Sequence, residues 1–140
     1  MIVIDTSVAV GFLRGEETSV RALESARVQT DSIGISAVSI FELLTPLRHR
    51  KLREQERVLK SFVHELKTLP LDSIAVDESA DIMGSLLRIG KPVNALDVLI
   101  AGTAVANGAE KLLSKDRDFK TIASVSGLTM EVIEPMRRKQ

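Results

Sequence analysis

Carboxylates at four places in this 140-residue chain have a type and setting that could do chemistry: Asp5, Glu42, Asp97 and Asp116. Asp5 closes the apolar run Ile2-Val3-Ile4, and Asp116 follows Lys111-Leu112-Leu113-Ser114-Lys115. Glu42 lies inside Val38-Ser39-Ile40-Phe41-Glu42-Leu43-Leu44, and Asp97 interrupts Ala95-Leu96-Asp97-Val98-Leu99-Ile100-Ala101. An ionised carboxylate beside a core is costly unless a cation or hydrogen bonds compensate. Several of them converging on one point would suit a hard divalent cation such as Mg²⁺, which takes oxygen ligands. A cation of that kind lowers the pKa of its bound water and orients attack on a phosphodiester. The chain has no cysteine, which excludes disulfides and thiolate zinc sites, and its two histidines, His49 and His64, are too few for a His-rich centre.

Each acid also has an ordinary reading. Asp5 could cap a helix that starts near Ser7, although Thr6 and Ser7 can cap as well. Asn94 and Asp97 have the spacing of a capping box, and the helix dipole favours an acid in that first turn. Glu42 is mid-helix, where capping does not explain it. Ser39, Glu42 and Thr45 share a polar strip, and Pro46 deprives the Glu42 carbonyl of its helical partner. Asp116 could open an Asx turn, and Asp118, two residues on, could join the cluster or face solvent.

Short apolar runs alternate with helical stretches, the signature of an α/β chain with a largely parallel sheet. The strands are expected at 2–5, 33–36, 69–72, 111–114 and 129–133, the last alternating as an edge strand does. Helices are expected at 7–14, 17–28, 37–50, 53–67, 77–89 and 95–107, with a short turn at 117–123. Helix 53–67 carries Val58, Leu59, Phe62, Val63 and Leu66 on one stripe, as a half-buried surface helix does. Helix 95–107 is apolar nearly all round. Gly102 and Ala104 would allow a close neighbour, and Gly108 is placed to end it. In such sheets the carboxyl ends of the strands are where ligands bind, so Asp5 and Asp116 should reach one edge together.

The length suits a single domain over 1–140 with a fraying tail at 135–140. No stretch approaches the roughly 20 apolar residues of a membrane span. The N-terminus lacks a basic leader, so a cytoplasmic protein is expected. Nineteen basic and nineteen acidic side chains cancel, which argues against a general electrostatic binder of nucleic acid. Local basic groups remain: Arg48, Arg50, Lys51 and Arg53 beyond Glu42, Lys115, Arg117 and Lys120 around Asp116, and the tail Arg137-Arg138-Lys139. As phosphate contacts they would position RNA without reading it.

The chain resembles the PIN-domain ribonucleases, in particular the VapC-type toxins of toxin–antitoxin pairs. The resemblance rests on Val3-Ile4-Asp5-Thr6-Ser7, Ile35-Ser36-Ala37-Val38-Ser39-Ile40-Phe41-Glu42-Leu43, Gly90-Lys91-Pro92-Val93 with Asp97-Val98-Leu99-Ile100-Ala101 and Ala104, and Leu112-Leu113-Ser114-Lys115-Asp116-Arg117-Asp118-Phe119. These stand in the family's order, with Ser114 where Thr is commoner. The resemblance implies a three-layer α/β/α sandwich around a mostly parallel sheet. It implies a pocket lined by Asp5, Glu42, Asp97 and Asp116, with Ser7 and Ser114 as supporting hydroxyls. It also implies Mg²⁺- or Mn²⁺-dependent cleavage of RNA, homodimerisation and inhibition by a small cognate antitoxin. Because Mg²⁺ takes one or two carboxylates directly, Asp5 and Asp97 are the expected direct ligands, with Glu42 and Asp116 acting directly or through water and Asp118 as a further candidate. Two rival readings are a catalytically inactive PIN-like module that binds RNA or protein, and a phosphoryl-transfer enzyme with Asp5 as nucleophile.

Overall fold

A parallel strand that is buried on both faces needs helices above and below it. Three such strands form the centre of the sheet: β1 (Ile2–Ile4), β2 (Ile33–Ser36) and β4 (Lys111–Ser114), in which every residue but Lys111 is buried. The computed structural model describes residues 1–134 of the chain; the expected fraying tail and its Arg137, Arg138 and Lys139 lie outside the described residues. Two shorter strands, β3 (Lys67–Leu69) and β5 (Met130–Val132), complete a parallel sheet in the order β3-β2-β1-β4-β5. The alternating strand is at an edge, as expected.

Seven helices occupy the connections among the described residues: α1 (Thr6–Leu13), α2 (Glu17–Gln29), α3 (Ala37–His49), α4 (Arg53–His64), α5 (Ser73–Arg88), α6 (Ala95–Ala106) and α7 (Asp118–Ser126). The two-residue side-chain period of the strands divides the core between the sheet's faces. Ile2 and Ile4 face a cluster with Val8, Leu23, Leu43, Leu59 and Phe62, contributed by α1 to α4. Val3 and Leu112 face the other cluster, with Ile82, Leu86, Ile100, Phe119 and Ile122 from α5 to α7. This is the expected three-layer α/β/α sandwich.

Four boundaries differ from expectation, and local chemistry explains three. The strand expected at 69–72 is Lys67–Leu69, because Pro70 cannot donate to a ladder and Leu71 turns out to solvent. The helix expected at 53–67 therefore ends at His64 to release it. The helix expected at 77–89 begins at Ser73, where the Asp72 carboxylate caps it by accepting from the Ala75 N–H at 2.9 Å. The turn expected at 117–123 is a helix to Ser126, stopped by Gly127 at φ 69°.

Helix α6 is the central helix of its layer, and its small residues act as expected. A Cβ on Gly102 would lie 1.9 Å from Ser79 Oγ and 2.7 Å from the Ser79 Cα, so α5 and α6 touch nearly backbone to backbone. Gly108, at φ 65°, ends the helix with paired bonds from Gly108 N–H to the Val105 carbonyl and Ala109 N–H to the Ala104 carbonyl. We expect Gly102→Ala to destabilise the protein by about 1–2 kcal/mol, the overpacking cost exceeding the helix-propensity gain. Chemical denaturation midpoints test this; an unchanged or raised midpoint would contradict the close contact. Adding Ser79→Ala should recover only part of the loss, since the Cα stays in place.

Candidate metal centre

Strand order decides where the acids meet. The chain runs outward from β1 through β2 to β3, then returns to lay β4 on the opposite side of β1. The β1–β4 boundary is thus the point at which strand order reverses, where open parallel sheets form a crevice beyond their carboxyl ends. Ile4 pairs with Leu113, so the next residues on each strand, Asp5 and Ser114, meet there across 109 residues of sequence.

Asp5 is 3 % exposed and has both carboxylate oxygens engaged. One accepts from Ser7 Oγ at 2.7 Å and from the Val8 N–H at 3.0 Å; the other accepts from Ser114 Oγ at 2.5 Å. Asp5 therefore does cap α1, and it also organises the crevice. The hydroxyls relay this order onward: Ser7 Oγ accepts from the Lys115 N–H and Ser114 Oγ accepts from the Asp116 N–H, each at 2.9 Å. Burial pushes the Asp5 carboxyl above its usual range, while the Ser114, Ser7 and Val8 donors pull it down and Asp116 adds repulsion. With its oxygens so occupied, Asp5 is poorly placed as a nucleophile.

Asp97 lies in the first turn of α6, half-buried. Asn94 caps that helix by accepting from the Leu96 N–H at 2.8 Å, without a reciprocal bond from Asp97 among the described residues. Burial, with the charges of Asp116, Glu42, Asp5 and Asp118 in decreasing order, pushes the Asp97 carboxyl up to about 6. All five acids are therefore close enough to be felt at one position. Glu42 is half-buried on α3 and accepts from Thr6 Oγ1 at 2.7 Å. Its supposed polar strip is split: Ser39 is buried against the capping Ser36, while Thr45 is exposed and bonds to the Phe41 carbonyl. Helix α3 continues through Pro46 to His49.

Asp97, Asp116 and Asp118 each present a carboxylate oxygen, and these oxygens lie within 4.8 Å of one another. Asp118 is thus drawn into the cluster, helped by a bond from its N–H to Asp116 Oδ1 at 2.9 Å. Asp5 and Glu42 flank this close group rather than belonging to it. None of the five acids makes an ion pair among the described residues. Like charges gathered without a protein counter-ion fit a divalent cation, whose cis oxygens stand about 3 Å apart at Mg²⁺ ligand distances. Asp97, Asp116 and Asp118 would hold it, Glu42 could hold its water, and Asp5 with Ser7 and Ser114 would set the geometry.

The surface basic groups fall elsewhere. A cleft of about 830 Å³ lies between the end of α3 and α4 and is lined by Arg48, Lys51 and Arg53, with none of the five acids in it. Arg48 and Lys60 pair with Glu56 there, so this cleft is an open charged surface apart from the acidic cluster. Arg50 instead lines a groove with Glu42. Lys115 and Arg117 pair with Glu16 and Glu134, and Lys120 is exposed. Thr6 and Glu16 were missed in the sequence: Thr6 had a signal as the hydroxyl between Asp5 and Ser7, and Glu16 had none.

The raised Asp97 carboxyl has a testable sign. Between its unfolded value of 3.8 and its folded value of about 6, the folded chain keeps a proton that the unfolded chain has lost. Metal-free stability from this group is therefore complete at low pH and is lost as pH rises through about 6. In EDTA at pH 7.5, Asp97→Asn should be more stable than wild type by about 1 kcal/mol, allowing for solvent screening of a half-open site. Thermal unfolding should show that gap closing toward pH 4.5; a variant less stable at both pH values would refute the crowding.

The family model for the PIN domain matches residues 2–125. The chain is 31 % identical over 123 residues to Ribonuclease VapC19 of Mycobacterium tuberculosis, covering 85 % of this chain and 92 % of that protein. It is 26 % identical over 123 residues to the tRNA(fMet)-specific endonuclease VapC of Shigella flexneri, covering 87 % of this chain and 92 % of that one. In fold it is similar to a chain of VapBC2 from Rickettsia felis bound to promoter DNA, with a TM-score of 0.81, 21 % identity, and 94 % and 98 % of the two chains covered. Carboxylates at the β1–β4 crevice and a family match spanning nearly the whole described fold lead to one assignment: this chain belongs to the PIN-domain family.

Proposed function

We propose that the protein is a metal-dependent endoribonuclease of the VapC type, the toxin of a toxin–antitoxin pair. The observation that carries this reading is the gathering of Asp97, Asp116 and Asp118 within 4.8 Å, beside Asp5 and Glu42 and with no ion pair to any of them among the described residues. The naming of its relatives as VapC ribonucleases supports it. Mg²⁺ or Mn²⁺ bound there would supply an activated water and charge neutralisation at the scissile phosphate. Asp97 and Asp116 bind and orient from opposite walls, one on α6 and one beyond β4. Glu42, bonded by Thr6 Oγ1, would hold a metal-bound water. Asp5 keeps the Ser7 and Ser114 hydroxyls pointing where they fix the backbone of residues 115 and 116.

RNA is the proposed substrate, acted on in the cytoplasm; no helix among the described residues is long and apolar enough to cross a membrane. Exposed Lys51, Arg53 and Lys120, which make no ion pair among the described residues, are the proposed phosphate contacts. A small cognate antitoxin is the proposed protein partner. A groove of about 380 Å³, lined by Val10, Leu13, Leu43, Pro46 and Val58, borders Glu42 and offers an apolar seat from which a basic side chain could reach the acids. A second copy is proposed to cover apolar side chains such as Phe41 (60 % exposed), Ile74 (61 %) and Leu87 (60 %).

Purified protein should cleave total RNA with Mg²⁺ or Mn²⁺ and stop in EDTA. Asp97→Asn and Asp116→Asn should each lower the rate at least about a hundredfold. Cleavage that persists in EDTA, or in both variants, refutes the proposal.

A further inference from the structure

The loop from Ser114 to Asp118 has a demanding task, because it must hold Asp116 and Asp118 against Asp97 when all three repel one another. Its inner tethers are the Ser114 bond to Asp5 and the Lys115 N–H bond to Ser7. Its outer tether is an ion pair between Lys115 Nζ and the Glu16 carboxylate, joining residues 99 apart in sequence. This pair differs from an ordinary surface contact in how it is built. Glu16 stands at the N-cap of α2, where an acid could bond the helix N–H groups, yet its side chain makes no capping bond. Its carboxylate lies instead over the bare backbone of α1 at Gly11, where a Cβ would come within 2.9 Å of Glu16 Oε2. A glycine inside a helix is itself destabilising; here it leaves room for Ser19, whose Oγ such a Cβ would meet first, and for the Glu16 carboxylate beside it. The Lys115 side chain is 26 % exposed and that of Glu16 40 %.

We propose that Glu16 is a positioning residue of the metal centre, acting through Lys115 to hold the loop that carries Asp116 and Asp118. The inference rests on the metal-centre reading above. Glu16 touches neither metal nor substrate; it fixes the residue between the Ser114 relay and the first ligand of the loop. It also draws the Lys115 ammonium outward, away from the carboxylates beside it.

Charge alone and positioning give opposite signs for Lys115. Removing a cation beside a metal site strengthens attraction for Mn²⁺, whereas losing the tether weakens binding. Mn²⁺ affinity of the full chain, followed by electron paramagnetic resonance of the free ion, separates the two. We expect Lys115→Met, Glu16→Gln and the double variant to bind Mn²⁺ about three- to tenfold more weakly, all by a similar factor, as outer partners of metal ligands commonly do. Lys115→Arg, which keeps the pair, should bind as wild type does. Melting temperatures in EDTA should stay within about 2 °C of wild type, as suits an exposed pair. Tighter or unchanged binding by Lys115→Met overturns the inference, as does an affinity loss accompanied by a matching loss of stability in EDTA. A wild-type chain that binds no Mn²⁺ removes the metal-centre reading itself, whereas wild-type binding with indifferent variants removes only this inference.

Discussion

The gathering of five carboxylates at the carboxyl end of one sheet is the constraint on which this site depends. Asp5, Glu42, Asp97, Asp116 and Asp118 all act on one position, and none has a basic partner among the described residues. Left alone, such a group would spread into solvent or take up protons, and Asp97 does partly the latter. What holds the acids together is a set of donors that are themselves fixed by regular structure. The Val8 N–H belongs to the first turn of α1, and the Ser7 and Ser114 hydroxyls sit immediately beyond β1 and on β4. The Asp97 carboxylate gains from the N-terminal end of α6. Asp5, Asp97 and Asp116 are thus stabilised by backbone groups whose placement the rest of the core determines, and Glu42 by the Thr6 hydroxyl.

That dependence explains why the sheet's topology matters to the chemistry. Only a parallel pair in which β4 returns beside β1 brings Asp5 and Ser114 together. The close approach of α5 and α6 at Gly102 then sets how near Asp97 can come, because Asp97 and Gly102 share one helix. Ile4 and Leu113 face one side of the sheet while Val3 and Leu112 face the other, so a register slip of one residue would turn the whole core inside out along with the site. The pocket and the core are one specification.

Much of this was legible in residue types. Asp5 and Asp116 were conspicuous because each follows an apolar strand, and Asp97 because it breaks an apolar helix. The three-layer sandwich followed from runs such as Ile33-Gly34-Ile35 alternating with helical stretches. The start of α5 was hidden because Leu69, Leu71 and Pro70 read as a strand end, and only the Asp72 cap reveals where the helix begins. Asp5 and Asp97 were expected as direct ligands; residue type does not show that Asp5 also carries bonds from Ser7, Val8 and Ser114, nor that Asp118 stands within 4.8 Å of Asp97 and Asp116. Glu16 and Thr6 were missed for a related reason. Their meaning is a contact 99 or 36 residues away; beside Asp5 and Ser7 the Thr6 hydroxyl gave a local hint of it, and nothing near Glu16 did.

The neutral total charge conceals a division that bears on the proposed reaction. Acids concentrate in the crevice, while Arg48, Lys51 and Arg53 lie in a separate cleft and two of the cations around Asp116, Lys115 and Arg117, are turned onto Glu16 and Glu134. Without a cation the cluster would present a negative face to the phosphates of the proposed RNA substrate, and the paired cations nearby would do little to offset it. Neutralising the cluster with a divalent ion removes that repulsion, so the two bindings favour each other. By linkage the favour is mutual: RNA in the crevice must tighten the ion by the factor with which the ion tightens RNA. The same reasoning gives a basic side chain from a protein partner its force as an inhibitor. It would relieve part of the repulsion that the ion relieves, occupy the same space, and leave the crevice without the group that activates water.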